Sequence, residues 1–359
     1  MRGPAGRARK GRRTVKAAVF EGLERIVVRD LPDPRADEGA IVVKVEACSL
    51  CGSDIRNFHG GLRGGITSQV MGHEIAGTVT QVGAGVDRFA VGDRVAIAPD
   101  VSCGTCYYCL RGWVNLCVNH RMIGTHWPGG FAQYLHLPAV ILQHGMVHHM
   151  PVGLTFDHAA LSEPASSVIA AQENAGIGLG DTVLIIGDGP VGCLHLEVAR
   201  ARGASRLIMV GLARLAQTSA FSPDHIIDAA KQDPVVEVKR LTEGLGADVA
   251  IVATPVAKTQ SQAVQAVRKR GRVVLFGGLP KADPMTTLDG NLIHYNEISV
   301  VGAFSYPAWV HQKALQVIAS GKIHAELYFN KTVGLEGIVE GIQEAEAGRA
   351  LKVLVKPWL

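Results

Sequence analysis

The stretch Asp181-Thr182-Val183-Leu184-Ile185-Ile186-Gly187-Asp188-Gly189-Pro190-Val191-Gly192 decides the fold. An apolar strand runs into a G-x-G-x-x-G turn, and the residues from Val191 to Arg202 then read as a helix. That context separates a dinucleotide-binding loop from an ordinary glycine-rich turn. Gly187 allows the tight turn, Gly189 lets backbone approach a pyrophosphate, and Gly192 packs helix on strand. Pro190 and Val191 carry the helix N-terminus, which faces the phosphates. About 20 residues further on, an acidic residue ordinarily accepts the adenosine ribose hydroxyls. Here the second strand, Arg206-Leu207-Ile208-Met209-Val210, ends at Gly211. A group that would repel a 2′-phosphate is absent at that position, and Arg214 offers a cation for one. The cofactor is read as NAD(P)(H), with the balance tipped slightly to NADP.

Downstream, Asp248–Ala253 and Arg272–Phe276 repeat the apolar strand, and Ile298–Gly302 adds another. Buried strands separated by helices argue a doubly wound parallel sheet. A helix over His311–Ser320 and a closing strand, Leu351–Val355, follow. Upstream the texture differs. Val15–Phe20, Ala40–Val45, Gly77–Val82 and Arg94–Ile97 are short strands broken by Gly, Pro and Asp, the pattern of a barrel-like β domain. The fold class is therefore α/β with a separate β domain ahead of the parallel sheet.

Two sets of residues with metal-ligand chemistry lie in the β-rich half. Cys103, Cys106, Cys109 and Cys117 form C-x2-C-x2-C-x7-C. Four thiolates suit tetrahedral zinc, and the close spacing lets one loop wrap the ion. Iron–sulfur clusters use similar spacing and are the competing assignment. A closed four-Cys site leaves no open position, so its task is to hold the loop. The second set is dispersed: Cys51 in Cys51-Gly52-Ser53-Asp54, His73 and Glu74 in Gly72-His73-Glu74, and Glu163 in Ser162-Glu163-Pro164. One thiolate, one imidazole and a carboxylate leave room for water or substrate, the catalytic pattern. Cys48 and Cys193 read as core residues.

Gly72-His73-Glu74-x2-Gly77-x5-Gly83-x2-Val86 resembles the signature of zinc-containing medium-chain alcohol dehydrogenases. With the four-Cys loop and the dinucleotide turn, the resemblance covers residues 15–359. Glu163-Pro164 brings the chain closest to the polyol branch, the sorbitol and threonine dehydrogenase-like proteins. The resemblance implies a GroES-like β-barrel catalytic domain and a Rossmann coenzyme domain. The expected division is a disordered basic tail at 1–13, the catalytic domain at 14–160, the coenzyme domain at 161–299, and a return to the catalytic domain at 300–359. It further implies one catalytic zinc on Cys51, His73 and either Glu74 or Glu163, one structural zinc, and Ser53 as the hydroxyl that passes the alcohol proton outward. Many relatives carry His where this chain has Arg56, which is always charged and shuttles no proton. The sorbitol dehydrogenases carry an Arg-Tyr pair in the segment here written Phe304-Ser305-Tyr306. Tyr306 matches and Ser305 does not, which directs the reading from sorbitol toward another secondary alcohol: a polyol, sugar, cyclitol or amino-alcohol. Phe304, Tyr306 and Ser53 are the substrate candidates.

Composition bounds the remaining choices. Hydrophobic residues make up 47% of 359 and charged residues 19%, which excludes a disordered chain. The formal charge of +4 belongs to the first 16 residues, which hold seven Lys/Arg and no acid; the rest has 29 basic and 32 acidic residues, a net −3. A nucleotide-sensing or nucleic-acid-binding protein using that tail is one alternative function, and a zinc-stapled quinone or enoyl-type reductase lacking catalytic zinc is another. No aromatic-interleaved basic patch in the body supports the former. Together, Cys51, His73 and Glu163 argue against the latter. No apolar run reaches the ~18 residues of a membrane helix. The expectation is a cytoplasmic dehydrogenase acting on a small alcohol or ketone, as a homodimer or homotetramer, with no nucleic-acid or membrane partner.

Overall fold

The computed structural model describes residues 14–359; the tail expected at 1–13 lies outside them. Thr182–Ile186 is the central strand of a six-stranded sheet. Arg206–Gly211 and then His225–Asp228 lie on one side of it; Ala247–Val252, Val267–Leu275 and Ser299–Gly302 lie on the other. Every pairing is parallel. In sequence order this is 3-2-1-4-5-6, so the connections reverse direction beside the central strand, where nucleotides bind in open α/β sheets. The strand feeds both faces. Val183 and Ile185 enter one apolar core, while Leu184 and Ile186 enter the other. That period-2 alternation, apolar on both sides, is why the strand reads as a continuous apolar run.

The β-rich half is built around Ile41–Ser49, which is antiparallel to Glu74–Val82 and to Tyr134–Leu137. Arg94–Ala98 and Met146–His149 extend the sheet on one side. On the other side the C-terminal strand Lys352–Val355 joins it, pairing Leu354 with Ser49 and Val355 with Cys48, and Phe329–Val333 adds beyond. Chain from the far end thus closes the sheet that the N-terminal half begins. The strand Ser299–Gly302, which spans the seam expected between 161–299 and 300–359, is the last strand of the parallel sheet.

Helices Ser162–Asn174 and Ala308–Ala319 pack on one another between the two sheets. Their apolar residues share a core with Ala76, Ala96 and Met146 on one side and Ile185 and Leu194 on the other. The two halves are therefore joined through buried apolar surface. Cys48 and Cys193 are fully buried, as core cysteines should be. Among the described residues no helix is long and apolar enough to cross a membrane.

Candidate functional site

Cys51 stands at the N-terminal end of helix Gly52–Gly60, immediately after the strand Ile41–Ser49 and Leu50. The Asp54 carboxylate, three residues on, accepts the Cys51 N–H through Oδ2 at 3.0 Å. Its other oxygen, Oδ1, lies 3.2 Å from His73 Nδ1. One buried carboxylate thus fixes both the start of the helix and the orientation of the imidazole. With Nδ1 engaged, Nε2 is the nitrogen presented to the site, the arrangement that prepares a histidine for a metal. Ser53 Oγ is 3.3 Å from that Nε2.

Glu74 follows His73 at the first position of its strand and is fully buried. Its Oε2 is held by Ser49 Oγ and by Lys352 Nζ, the latter at 2.6 Å. Lys352 also donates to the Leu50 carbonyl at 3.2 Å. Burial alone would lower the pKa of this ammonium, but the charges of Glu74 and Cys51 outweigh it and raise the value. Glu74 Oε1 is buried without any partner among the described residues. An unpaired buried carboxylate oxygen costs about 1–3 kcal/mol or more unless something claims it. One ligand atom from each of Cys51, His73 and Glu74 lies within 4.8 Å of the others. Desolvation opposes a positive His73, yet the Asp54 and Cys51 charges lift its pKa well above the usual histidine value. The donor set fits zinc.

Glu163 lies outside that compact set. It sits in the first turn of helix Ser162–Asn174 and accepts a hydrogen bond from Tyr306 Oη at 2.9 Å. Desolvation, with help from Glu74 and Asp100, raises its pKa to about 7 against the opposing effects of His73 and Tyr306. Tyr306, fully buried, thus reaches the site. Phe304 does not: it is 54% exposed, and its carbonyl accepts from Asn115 Nδ2 at 2.8 Å. The Ser305 hydroxyl bonds Asp100, which also pairs with His120 at 2.9 Å.

The other cysteines form a separate cluster. Cys103, Cys106, Cys109 and Cys117 bring their sulfurs within 4.8 Å of one another, and none is in a disulfide. Tetrahedral zinc with 2.3 Å bonds needs sulfurs roughly 3.8 Å apart. Backbone N–H groups point at the sulfurs: Cys103 and Asn119 each donate to Cys117 Sγ at 3.3 Å. The Thr105 N–H leads the effects that draw the Cys103 thiol down to about 5, while burial pushes Cys117 up to about 12.

At the parallel sheet the glycine turn has the required geometry. A Cβ on Gly192 would lie 1.8 Å from the Gly187 carbonyl, and Gly187 itself has φ +130°. Pro190 is the first residue of helix Pro190–Ala201. Gly187, Gly211, Thr254 and Lys258 line a cleft of about 450 Å³ at the strand ends. Arg214 is not among its lining residues. Its guanidinium Nη2 donates to the Ala345 carbonyl at 2.6 Å, at the end of helix Ile338–Glu346. Of the guanidinium expected near a 2′-phosphate, Nη2 is thus engaged by the chain itself, while Nε is buried without a partner among the described residues. Residues that the motifs did not single out are Asp54, Lys352, Asp100 and Asp188. Only Asp54 had a local signal, its capping-box spacing from Cys51.

Residues 37–147 match the alcohol dehydrogenase GroES-like domain, and residues 190–320 match the zinc-binding dehydrogenase domain. A sorbitol dehydrogenase of Bacillus subtilis (strain 168) is 33% identical over 351 residues, 96% of this chain and 97% of the relative. A D-arabitol-phosphate dehydrogenase of Enterococcus avium is 32% identical over 93% of this chain and 95% of its own. A zinc-binding dehydrogenase from Sinorhizobium meliloti 1021, solved bound to NADP, superposes with a TM-score of 0.88 at 31% identity, covering 96% of this chain and 100% of that one. The chain belongs to the zinc-containing medium-chain alcohol dehydrogenases, on their polyol branch. It is an oxidoreductase of the alcohol and polyol dehydrogenase kind.

Proposed function

We propose that this dehydrogenase interconverts a secondary alcohol and its ketone, with one zinc on Cys51, His73 and Glu74 or Glu163, and a structural zinc on Cys103, Cys106, Cys109 and Cys117. The observation that carries the reading is the buried convergence of Cys51, His73 and Glu74 from two separate segments, on a chain that also bears the dinucleotide turn. When bound, the metal supplies Lewis-acid activation of a hydroxyl and the nicotinamide supplies an acceptor for hydride.

The rest of the work belongs to the chain. Asp54 keeps the His73 ring in one orientation. Lys352 holds Glu74 through Oε2 and leaves Oε1 for the site. Tyr306 holds Glu163 beside the site but outside the compact ligand set. Ser53 Oγ, on the Nε2 side of His73, is placed to take the proton of a docked hydroxyl. From there the proton leaves without a histidine at position 56, where an exposed Arg56 stands. Asp100, His120 and Ser305 form a closed polar group whose charge acts on Glu163 and Tyr306. This border suits a hydroxyl-rich substrate, and the arginine expected for sorbitol is absent: a sugar, cyclitol, other polyol or amino-alcohol fits better. A cytoplasmic homodimer or homotetramer belongs to the same proposal. The reductase alternative is disfavoured because it would leave Glu74 Oε1, Asp54 and Lys352 serving no ion.

The test is a panel of polyols, cyclitols and amino-alcohols with NAD+ and NADP+, followed at the nicotinamide absorbance. Turnover confined to secondary alcohols and lost on zinc removal is expected. Metal-independent reduction of quinones or enoyl compounds, with no alcohol oxidised, would overturn the proposal.

A further inference from the structure

We infer that Asp188, the second residue of the glycine-rich turn, reads the adenosine ribose and selects NAD(H) against NADP(H). This rests on the reading of the 450 Å³ cleft as the dinucleotide site. Asp188 is 9% exposed and lines that cleft. Its Oδ2 accepts the backbone N–H of Leu212 at 2.9 Å and of Arg214 at 2.6 Å. The carboxylate is thereby pinned across the end of the strand Arg206–Gly211. Among the described residues, Oδ1 has no protein donor.

Gly211 and Asp188 are two halves of one exchange. A Cβ at 211 would lie 2.5 Å from Asp188 Cβ and 2.6 Å from both Cγ and Oδ2. The carboxylate fills the space that a side chain at 211 would occupy. Dinucleotide folds place an acidic residue at the end of this strand for the ribose hydroxyls. In this chain the strand supplies only glycine, and the neighbouring loop delivers the carboxylate to the same place. Read in sequence, Gly211 leaves the ribose site without a negative group; in three dimensions the charge is there.

The charge decides the preference. An ionised carboxylate accepts a hydrogen bond from a 2′-hydroxyl and repels a 2′-phosphate. Among the described residues that line the cleft, no Arg stands beside Asp188 to reverse this. The Arg214 guanidinium turns to the end of helix Ile338–Glu346, where Nη2 donates to the Ala345 carbonyl next to Gly348, with Nε buried and without a partner among the described residues. Lys258, the one Lys or Arg among the cleft residues, begins the helix after Ala247–Val252, on the opposite side of the central strand from Gly211. Asp233 also lines the cleft, but its Oδ1 caps a helix through Val235 and Val236 N–H.

Equilibrium titration of the zinc-loaded protein with NAD+ and with NADP+, by calorimetry and without substrate, tests the inference. The wild type is expected to bind NAD+ at least about tenfold tighter, one hydrogen-bonded charge against one repulsion. Asp188→Asn keeps the shape and can still accept the Leu212 and Arg214 N–H groups. It should weaken NAD+, strengthen NADP+ and bring the two within about threefold. The double variant Asp188→Gly with Gly211→Asp removes the Cβ that a side chain at 211 would strike, returns the carboxylate to the strand end and should restore the NAD+ preference. A wild type that binds NADP+ as tightly as NAD+, or a preference that survives Asp188→Asn, overturns the inference. Failure of the wild type to bind either dinucleotide overturns the reading of the cleft as well.

Discussion

The two metal-ligand clusters are assembled in opposite ways. Cys103, Cys106, Cys109 and Cys117 come from one short loop, the first three partly exposed and Cys117 buried, and the loop's own N–H groups point at the Cys117 sulfur. Cys51, His73 and Glu74 come from two segments, with a buried Lys352 contributed from some 280 residues further along the chain. A site of identical ligands on a single loop is closed and rigid in itself. A site drawn from several segments exists only when the whole domain has folded, and in return it gains mixed ligands, a supporting carboxylate and space for a substrate. Local assembly suits a structural staple, and tertiary assembly suits chemistry.

If that contrast is right, the two sites should respond differently to the same kind of damage. The largest effect is expected from Cys51→Ala: hydride transfer falls by roughly 10³-fold or more, several kcal/mol of lost metal activation, while circular dichroism and the melting temperature change little. Lys352→Met comes next. It removes the buried ammonium and leaves Glu74 Oε2 with the Ser49 hydroxyl alone, at a cost of up to about 3–5 kcal/mol, measured by urea unfolding. Adding Glu74→Gln should return part of that stability, because the stranded charge is then gone. Asp54→Asn should weaken zinc at the catalytic site about 10–100-fold, read by competition with a chelator, with the four-Cys zinc unaffected. Cys109→Ser should show the reverse pattern. It empties the structural site and lowers the first melting transition by roughly 5 °C, while most of the activity per folded molecule remains.

The contrast also explains what the sequence could tell. The four-Cys loop was fully legible because its geometry is a matter of local spacing. The turn at Gly187–Gly192 was legible for the same reason, since strand, turn and helix are consecutive. Cys51 and His73 carry motifs, so the expectation that they meet can be read from the sequence, but the contrast in setting between Glu74 and Glu163 cannot. It depends on Lys352 and Tyr306, which arrive by strand register and by helix packing from the C-terminal segment. Arg214 shows the limit most clearly. Its position in the chain suggested a phosphate contact, yet its side chain meets Ala345, 131 residues away. Phe304 likewise shares a segment with Tyr306 but turns to the surface, with Ser305 between them at φ +50°.

The claim that one cluster holds the fold's loop and the other performs the chemistry is tested most directly by counting zinc per chain in purified Cys51→Ala by inductively coupled plasma mass spectrometry. The account requires two zinc ions in the wild type and one in the variant, in a folded protein. Two zinc ions retained in the variant, or none, would contradict it.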